Sequence, residues 1–157
     1  MFADGSIKPA STDTRLLLAV FWSTVILAIL FITMIFTQNM FGDDNQIFKH
    51  FFFPMLGVLI ILGIALIVLA ARTPVIKPLR ISLILTGSAI AGIPVCVILH
   101  NMVYALFIVL FGEDFWGPNG DEAFFFIMGL IVCPLVLIGG TISTIVLMIR
   151  NRGKLAA

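Results

Sequence analysis

The longest uninterrupted apolar stretch of this chain restricts its fold more than any other feature. Residues 81–111 contain no charged side chain over thirty-one positions, and three further apolar stretches occupy 16–36, 51–71 and 123–149. Lipid cannot hydrogen-bond exposed backbone groups, so apolar segments of about 20 residues cross a bilayer as helices. The sequence therefore predicts a single domain, 1–157, that is an all-α integral membrane protein with four transmembrane helices.

The composition indicates the same class of protein. The chain is 61% hydrophobic and 11% charged, whereas about a quarter of the residues in a soluble domain are charged. The alternating strands of about ten residues that build a transmembrane barrel are not seen. A net charge of +1 gives no basic surface for nucleic acid. The lipid bilayer is the partner that this composition predicts.

The distribution of charge predicts the orientation of the helices. Lys and Arg accumulate in the cytoplasmic segments of membrane proteins. The segments before the first span, between the second and third, and after the fourth hold eight of the nine basic residues, which leaves only Lys49 on the other side. Six of the eight acidic residues lie on that other side. We therefore predict that both termini are cytoplasmic, and we expect the cell (plasma) membrane as the location.

The third and fourth spans are predicted to be long and kinked by proline. As a helix, 81–111 measures about 46 Å against about 30 Å of hydrocarbon, so it must tilt, kink or project from the membrane. Pro94 and Pro134 lie at similar depth in the two spans. Bends at these prolines predict that the helices diverge and open a small outward-facing cleft. A straight and tightly packed outer half would contradict this prediction.

Small side chains predict where the third and fourth spans pack together. Glycine, alanine, serine and threonine four residues apart let membrane helices approach closely. Each of the two spans carries such a cluster in its cytoplasmic half, at matching depth, so we expect a close contact between them; the alternative is that these faces form a homodimer. The predicted packing residues are Gly87, Ser88, Ala91, Gly92, Gly139, Gly140, Ser143 and Thr144.

Polar side chains near the outer end of the third span are the candidate ligand-binding residues. Cys96, His100 and Tyr104 recur every four residues and share one helix face, with Asn101 beside them. His50, the only other histidine, begins the second span on the same side. One hypothesis is that the two histidines approach each other and bind a haem or a metal ion. The simpler interpretation is that these polar groups hydrogen-bond neighbouring helices or interfacial water.

The sequence favours a non-enzymatic role without identifying a cofactor. No Asp, Glu, Lys or Arg lies within a predicted span, which argues against a proton-driven transporter working alone. No catalytic or metal-binding motif is present. The preferred interpretation is an accessory or assembly subunit of a larger membrane complex or homo-oligomer. The alternative is a binder or carrier of a lipid, quinone or haem near His100. A membrane enzyme that uses His100, Asn101 and Tyr104 is the third.

Overall fold

A computed structural model describes residues 12–41, 46–117 and 120–151 of the chain. Over these ranges the chain forms helices and no β-strand. The two charged tails, 1–11 and 152–157, contribute to the predicted orientation and lie outside the described residues. The α-helices are α1 (Thr12–Phe41), α2 (Gln46–Arg72), α3 (Lys77–Phe111), α4 (Ala123–Ile127) and α5 (Cys133–Arg150).

Two shorter helical elements complete this order. A 3-10 turn, Glu113–Trp116, follows α3, and a π-helical segment, Met128–Val132, joins α4 to α5. The joined stretch Ala123–Arg150 is one continuous helical path. Together with α1, α2 and α3 it gives four helical stretches in the described chain that are long and apolar enough to cross a membrane. The prediction of an all-α protein with four such helices is confirmed.

The π segment lies directly before a proline. The backbone N–H of Cys133 donates to the carbonyl of Met128, which is five residues earlier rather than four. In a regular α-helix the ring of Pro134 would clash with the carbonyl of Leu130, and a wider turn gives that carbonyl room. Pro94, by contrast, is buried inside the uninterrupted helix α3.

Helices α2 and α3 touch through their backbones at two glycines. A Cβ atom added to Gly63 would lie 2.7 Å from the carbonyl oxygen of Gly87, and one added to Gly87 would lie 2.8 Å from the carbonyl oxygen of Gly63. Ala91 packs against Gly63 as well. Since no side chain fits between these backbones, α2 and α3 are in direct backbone contact here.

Helices α3 and α5 meet through a buried group of hydroxyls. The hydroxyl of Ser82 donates to the carbonyl of Gly140 at 2.9 Å, so the hydroxyl of Thr144, 2.8 Å from Ser82 Oγ, donates to Ser82. A Cβ at Gly140 would lie 2.7 Å from Thr86 Oγ1. Such hydrogen bonds satisfy hydroxyls that lipid could not.

The predicted packing residues therefore divide among several surfaces. Gly87 and Ala91 face α2, whereas Gly140 and Thr144 face α3. Gly92 lies against Cys133 at the start of α5. The remaining three predicted packing residues are exposed: Ser88, Gly139 and Ser143.

The bundle has two apolar clusters and a largely apolar outer surface. One cluster, around Phe21, Leu66 and Leu83, joins α1, α2 and α3 near the α2–α3 connection. The second, around Phe31 and Ile90, joins α1, α2, α3 and α5 further along the bundle. The exposed surface of the long helices is dominated by Leu, Ile, Val and Phe side chains. A surface of this kind suits contact with lipid tails.

Candidate ligand cavity

A cavity of about 320 Å³ lies beside the second half of α3. It occupies the half of the bundle that the charge pattern predicts to be the outer one. Cavities that hold small molecules in proteins span about 300–1,000 Å³ and are mostly apolar. Here only His100, Asn101 and Cys96 bring polar side-chain atoms to the wall. The lining residues are Phe31, Phe52, Leu56, Ile93, Cys96, Val97, His100, Asn101, Phe125, Phe126, Gly129 and Leu130.

His100 is held by the residues that begin α4. Its Nδ1 atom lies 2.9 Å from the backbone carbonyl oxygen of Glu122 and 3.3 Å from the Oε2 atom of the same residue. Both oxygens accept, so Nδ1 carries the hydrogen and donates. Nε2 lies 3.6 Å from Oδ2 of Asp121. The ring also packs against Phe126, with centroids 5.7 Å apart.

Glu122 is the N-cap of α4. Its carboxylate accepts from the backbone N–H groups of Phe124 and Phe125 at 2.8–3.1 Å, and it is 6% exposed. Burial by itself raises the pKa of this carboxyl. The hydrogen bonds from Phe125, His100 and Phe124 outweigh that effect and hold the pKa below its ordinary value of 4.5. An ionised Glu122 therefore orders the start of α4 and the ring of His100 together.

The other candidate ligand-binding residues lie in different surroundings. Asn101 lines the cavity, and its Nδ2 donates to the carbonyl of Val97 at 2.8 Å. Tyr104 lies one turn further along α3, stacked on Trp116 with ring centroids 5.9 Å apart. His50 is exposed on α2 and is not among the residues that line the cavity. The structure thus brings His100 and Asn101 to the cavity, and Tyr104 to a separate aromatic contact.

Two residues of this site, Asp121 and Glu122, belong in the sequence to an acidic loop with Glu113 and Asp114. The default expectation for that loop is solvation, and the alternatives are a cation site or a docking surface; the sequence does not pair either residue with His100. A signal for Glu122 does exist, because a negative side chain at the start of a helix is stabilised by the free backbone N–H groups and by the helix dipole. Its pairing with His100, twenty-two positions away, depends on how the third and fourth spans pack.

Cys96 and Cys133 both lie at the contact between α3 and the fourth helical stretch. Cys96 lines the cavity, and Cys133 follows the π segment, where a Cβ added at Gly92 of α3 would lie 3.0 Å from its Sγ atom. Both are free thiols and partly exposed. Across the described ranges, no group of three or more His, Cys, Asp or Glu side chains is arranged to hold a metal ion.

Comparisons of this chain with protein-family models, with curated proteins and with solved structures found no match.

Proposed function

We propose that this chain is an integral membrane protein that binds a small, largely apolar molecule in the cavity beside His100. The observation that carries the proposal is the cavity of about 320 Å³, whose wall is aromatic and aliphatic except for a few polar atoms near one side. An apolar wall provides binding free energy by excluding water or lipid, while a few polar groups fix the orientation of a ligand. The cavity has both.

The polar atoms favour a ligand that carries a carbonyl oxygen. The Nδ2 atom of Asn101 has two hydrogens, and its bond to the carbonyl of Val97 uses one of them. The other can donate to an oxygen of a ligand in the cavity. Quinones and lipid esters share such an oxygen on an otherwise apolar body.

Haem is not part of this proposal. Nδ1 of His100 donates to Glu122, and Nε2 faces the carboxylate of Asp121 at 3.6 Å. Iron ligation needs a ring nitrogen with a free lone pair directed at the metal. In the present orientation of His100, both ring nitrogens face Glu122 and Asp121 instead.

Native mass spectrometry of the protein, extracted gently with its own lipids, tests the proposal. We expect the wild-type chain to retain a bound molecule and Val97→Trp to lose it, because Val97 lines the cavity and a tryptophan there fills it. Ile98→Trp is the matched control, since Ile98 is the neighbouring residue, is 52% exposed and does not line the cavity. A wild-type chain with no added mass, or equal retention in both variants, would contradict the proposal.

A second candidate function is that of an accessory or assembly subunit. Gly139 and Ser143 lie four residues apart on α5 and are exposed, and a Cβ at Gly139 would meet nothing within 4 Å. Small residues at this spacing allow another membrane helix to approach closely. The same native mass spectra separate the two functions. The added mass of a second protein supports the accessory role, and that of a small molecule supports the cavity.

For the orientation we propose that both termini are cytoplasmic and that the membrane is the cell membrane. An even number of crossings places the two termini on one side. The segments with most basic residues would share that side, including the adjoining ends of α2 and α3 with Arg72, Lys77 and Arg80. His100 and Glu122 would then lie near the opposite, external surface.

A further inference from the structure

The end of the bundle opposite the cavity carries basic side chains that are not paired with any described carboxylate. Arg72 ends α2, Lys77 begins α3, and Arg80 lies in the first turn of α3. Both ion pairs found in the described ranges involve His100, at the other end of α3. Of the acidic residues that the structure describes, Asp13 alone belongs to this end. Positive charge is therefore in excess here.

Arg80 is the basic residue whose side chain is least satisfied by the protein. Its Nη2 atom donates to the carbonyl of Thr73 at 3.4 Å. Its Nε atom is buried and has no hydrogen-bond partner within the described structure. A guanidinium is always protonated and presents a fork of N–H donors, and buried donors in proteins are almost always paired. One long bond to a neutral carbonyl leaves the charge of Arg80 without a counterion.

The surroundings of Arg80 also favour an anion. Arg72 and Lys77 are exposed and lie on either side of the short connection that contains Thr73. Ile76, the N-cap of α3, gives no side-chain hydrogen bond to the first backbone N–H groups of the helix. Helical side chains lean towards the N-terminus, so the guanidinium of Arg80 lies beside these free N–H groups. An anion at this position would meet three positive side chains and the positive end of the helix dipole.

We propose that the basic group formed by Arg72, Lys77 and Arg80 binds the phosphate of an anionic phospholipid. The group lies where one long apolar helix ends and the next begins, which is the level of the lipid headgroups. Two oxygens of a phosphate match the planar fork of an arginine. Ile81 follows on α3 and is 49% exposed, so apolar surface for the acyl chains adjoins the basic group. The site is separate from the cavity beside His100.

Native mass spectrometry of the full chain, delipidated in detergent and titrated with phosphatidylglycerol, tests this site. We expect tighter binding than for phosphatidylcholine with the same acyl chains, because choline neutralises the phosphate. We expect Arg80→Gln to weaken phosphatidylglycerol binding by about tenfold or more, since it removes charge-assisted hydrogen bonds. Arg150→Gln is the matched control, because Arg150 is an exposed basic residue of the same end, on α5. We expect it to weaken binding by about fivefold at most, the effect of one charge near a membrane surface.

A second variant keeps the test decisive if Arg80→Gln does not fold. The double variant Arg72→Gln/Lys77→Gln changes two exposed residues and keeps the contact of Arg80 with Thr73. We expect it to bind phosphatidylglycerol at least about tenfold more weakly than wild type, because two charges near the headgroup are lost.

Three outcomes would overturn the proposal. Equal binding of the two lipids would exclude recognition of an anionic headgroup. Equal weakening in Arg80→Gln and Arg150→Gln, or wild-type affinity in the double variant, would leave only a general attraction between opposite charges. Displacement of phosphatidylglycerol by millimolar inorganic phosphate would show that a free phosphate, rather than a lipid, is the ligand.

Discussion

The carboxylate of Glu122 connects the start of α4 to α3. It accepts the first backbone N–H groups of α4 and also lies 3.3 Å from Nδ1 of His100. Only the ionised form offers acceptors to all of these donors at once. The order of the cavity wall beside α4 therefore depends on the charge state of one residue outside the long helices.

The first prediction concerns the pH dependence of stability. Since the pKa of Glu122 is lower in the folded chain than its ordinary value of 4.5, its contribution is complete above about pH 4.5. That contribution is lost as the pH falls through the folded-state pKa. We expect the melting temperature of wild type to fall more steeply on acidification than that of Glu122→Gln, when both are measured in the same detergent.

Glu113→Gln is the control for this comparison. It removes one negative charge from the same loop without removing the N-cap of α4. If Glu113→Gln and Glu122→Gln flatten the pH dependence equally, net charge rather than the contacts of Glu122 is responsible.

The sequence predicts part of the site for a physical reason. Residues four apart on a helix share one face, so Cys96 and His100 are recognisable together, and both line the cavity. Tyr104 continues the same spacing but contacts Trp116 instead, because the 3-10 turn brings that ring over it. The contact between His100 and Glu122 joins two spans, and helical spacing carries no information about it.

At the scale of the helices, the glycine contact between α2 and α3 determines how closely they pack. The backbone of Gly63 faces the backbone of Gly87 with no side chain between them. Backbone atoms cannot rotate away as a side chain can. An added methyl group must therefore separate the two helices.

The second prediction compares two glycines of α2. In Gly63→Ala the new Cβ would lie 2.7 Å from the carbonyl oxygen of Gly87, and we expect a loss of about 1–3 kcal/mol from overpacking. In Gly57→Ala the new Cβ meets nothing within 4 Å, and we expect a gain of about 0.5–1 kcal/mol from helix propensity. Reversible unfolding in mixed micelles measures both. Equal effects at the two positions would contradict the backbone contact.

The sequence predicts that the helices exist, but it does not predict which neighbouring helix each helix face contacts. Runs without charge require helices in lipid, which explains why the four long helices are predictable. In water, the polar face of a helix shows which side is outside. Here the exposed residue Ile61 and the buried residue Leu66 are equally apolar, so no pattern assigns Gly87 to α2 rather than to α5.

At the scale of the whole molecule, the orientation assigns the cavity to one side of the membrane. The α2–α3 connection and the loop after α3 lie at opposite ends of α3. The first is flanked by three basic residues in the adjoining ends of α2 and α3, and the second carries four acidic residues with no basic one. This asymmetry predicts that the cavity opens near the external surface.

The third prediction tests that orientation by labelling. In a chain with Cys96 and Cys133 replaced by serine, a membrane-impermeant maleimide added to intact cells should label Asp114→Cys, which lies in the 3-10 turn. Pro74→Cys, at an exposed position of the α2–α3 connection, should react only after permeabilisation. The opposite labelling pattern would place the termini outside the cell.

Because of the π segment, the shape of the cavity depends on the length of the helical stretch as well as on the identity of its residues. A hydrogen bond that spans five residues accommodates one residue more than a regular turn, so everything on its N-terminal side is rotated by about 100° relative to an uninterrupted helix. Phe125, Phe126 and Glu122 all lie on that side, and α5 lies on the other. The shape of the cavity thus depends on the number of residues between Glu122 and Pro134, and not only on which residues they are.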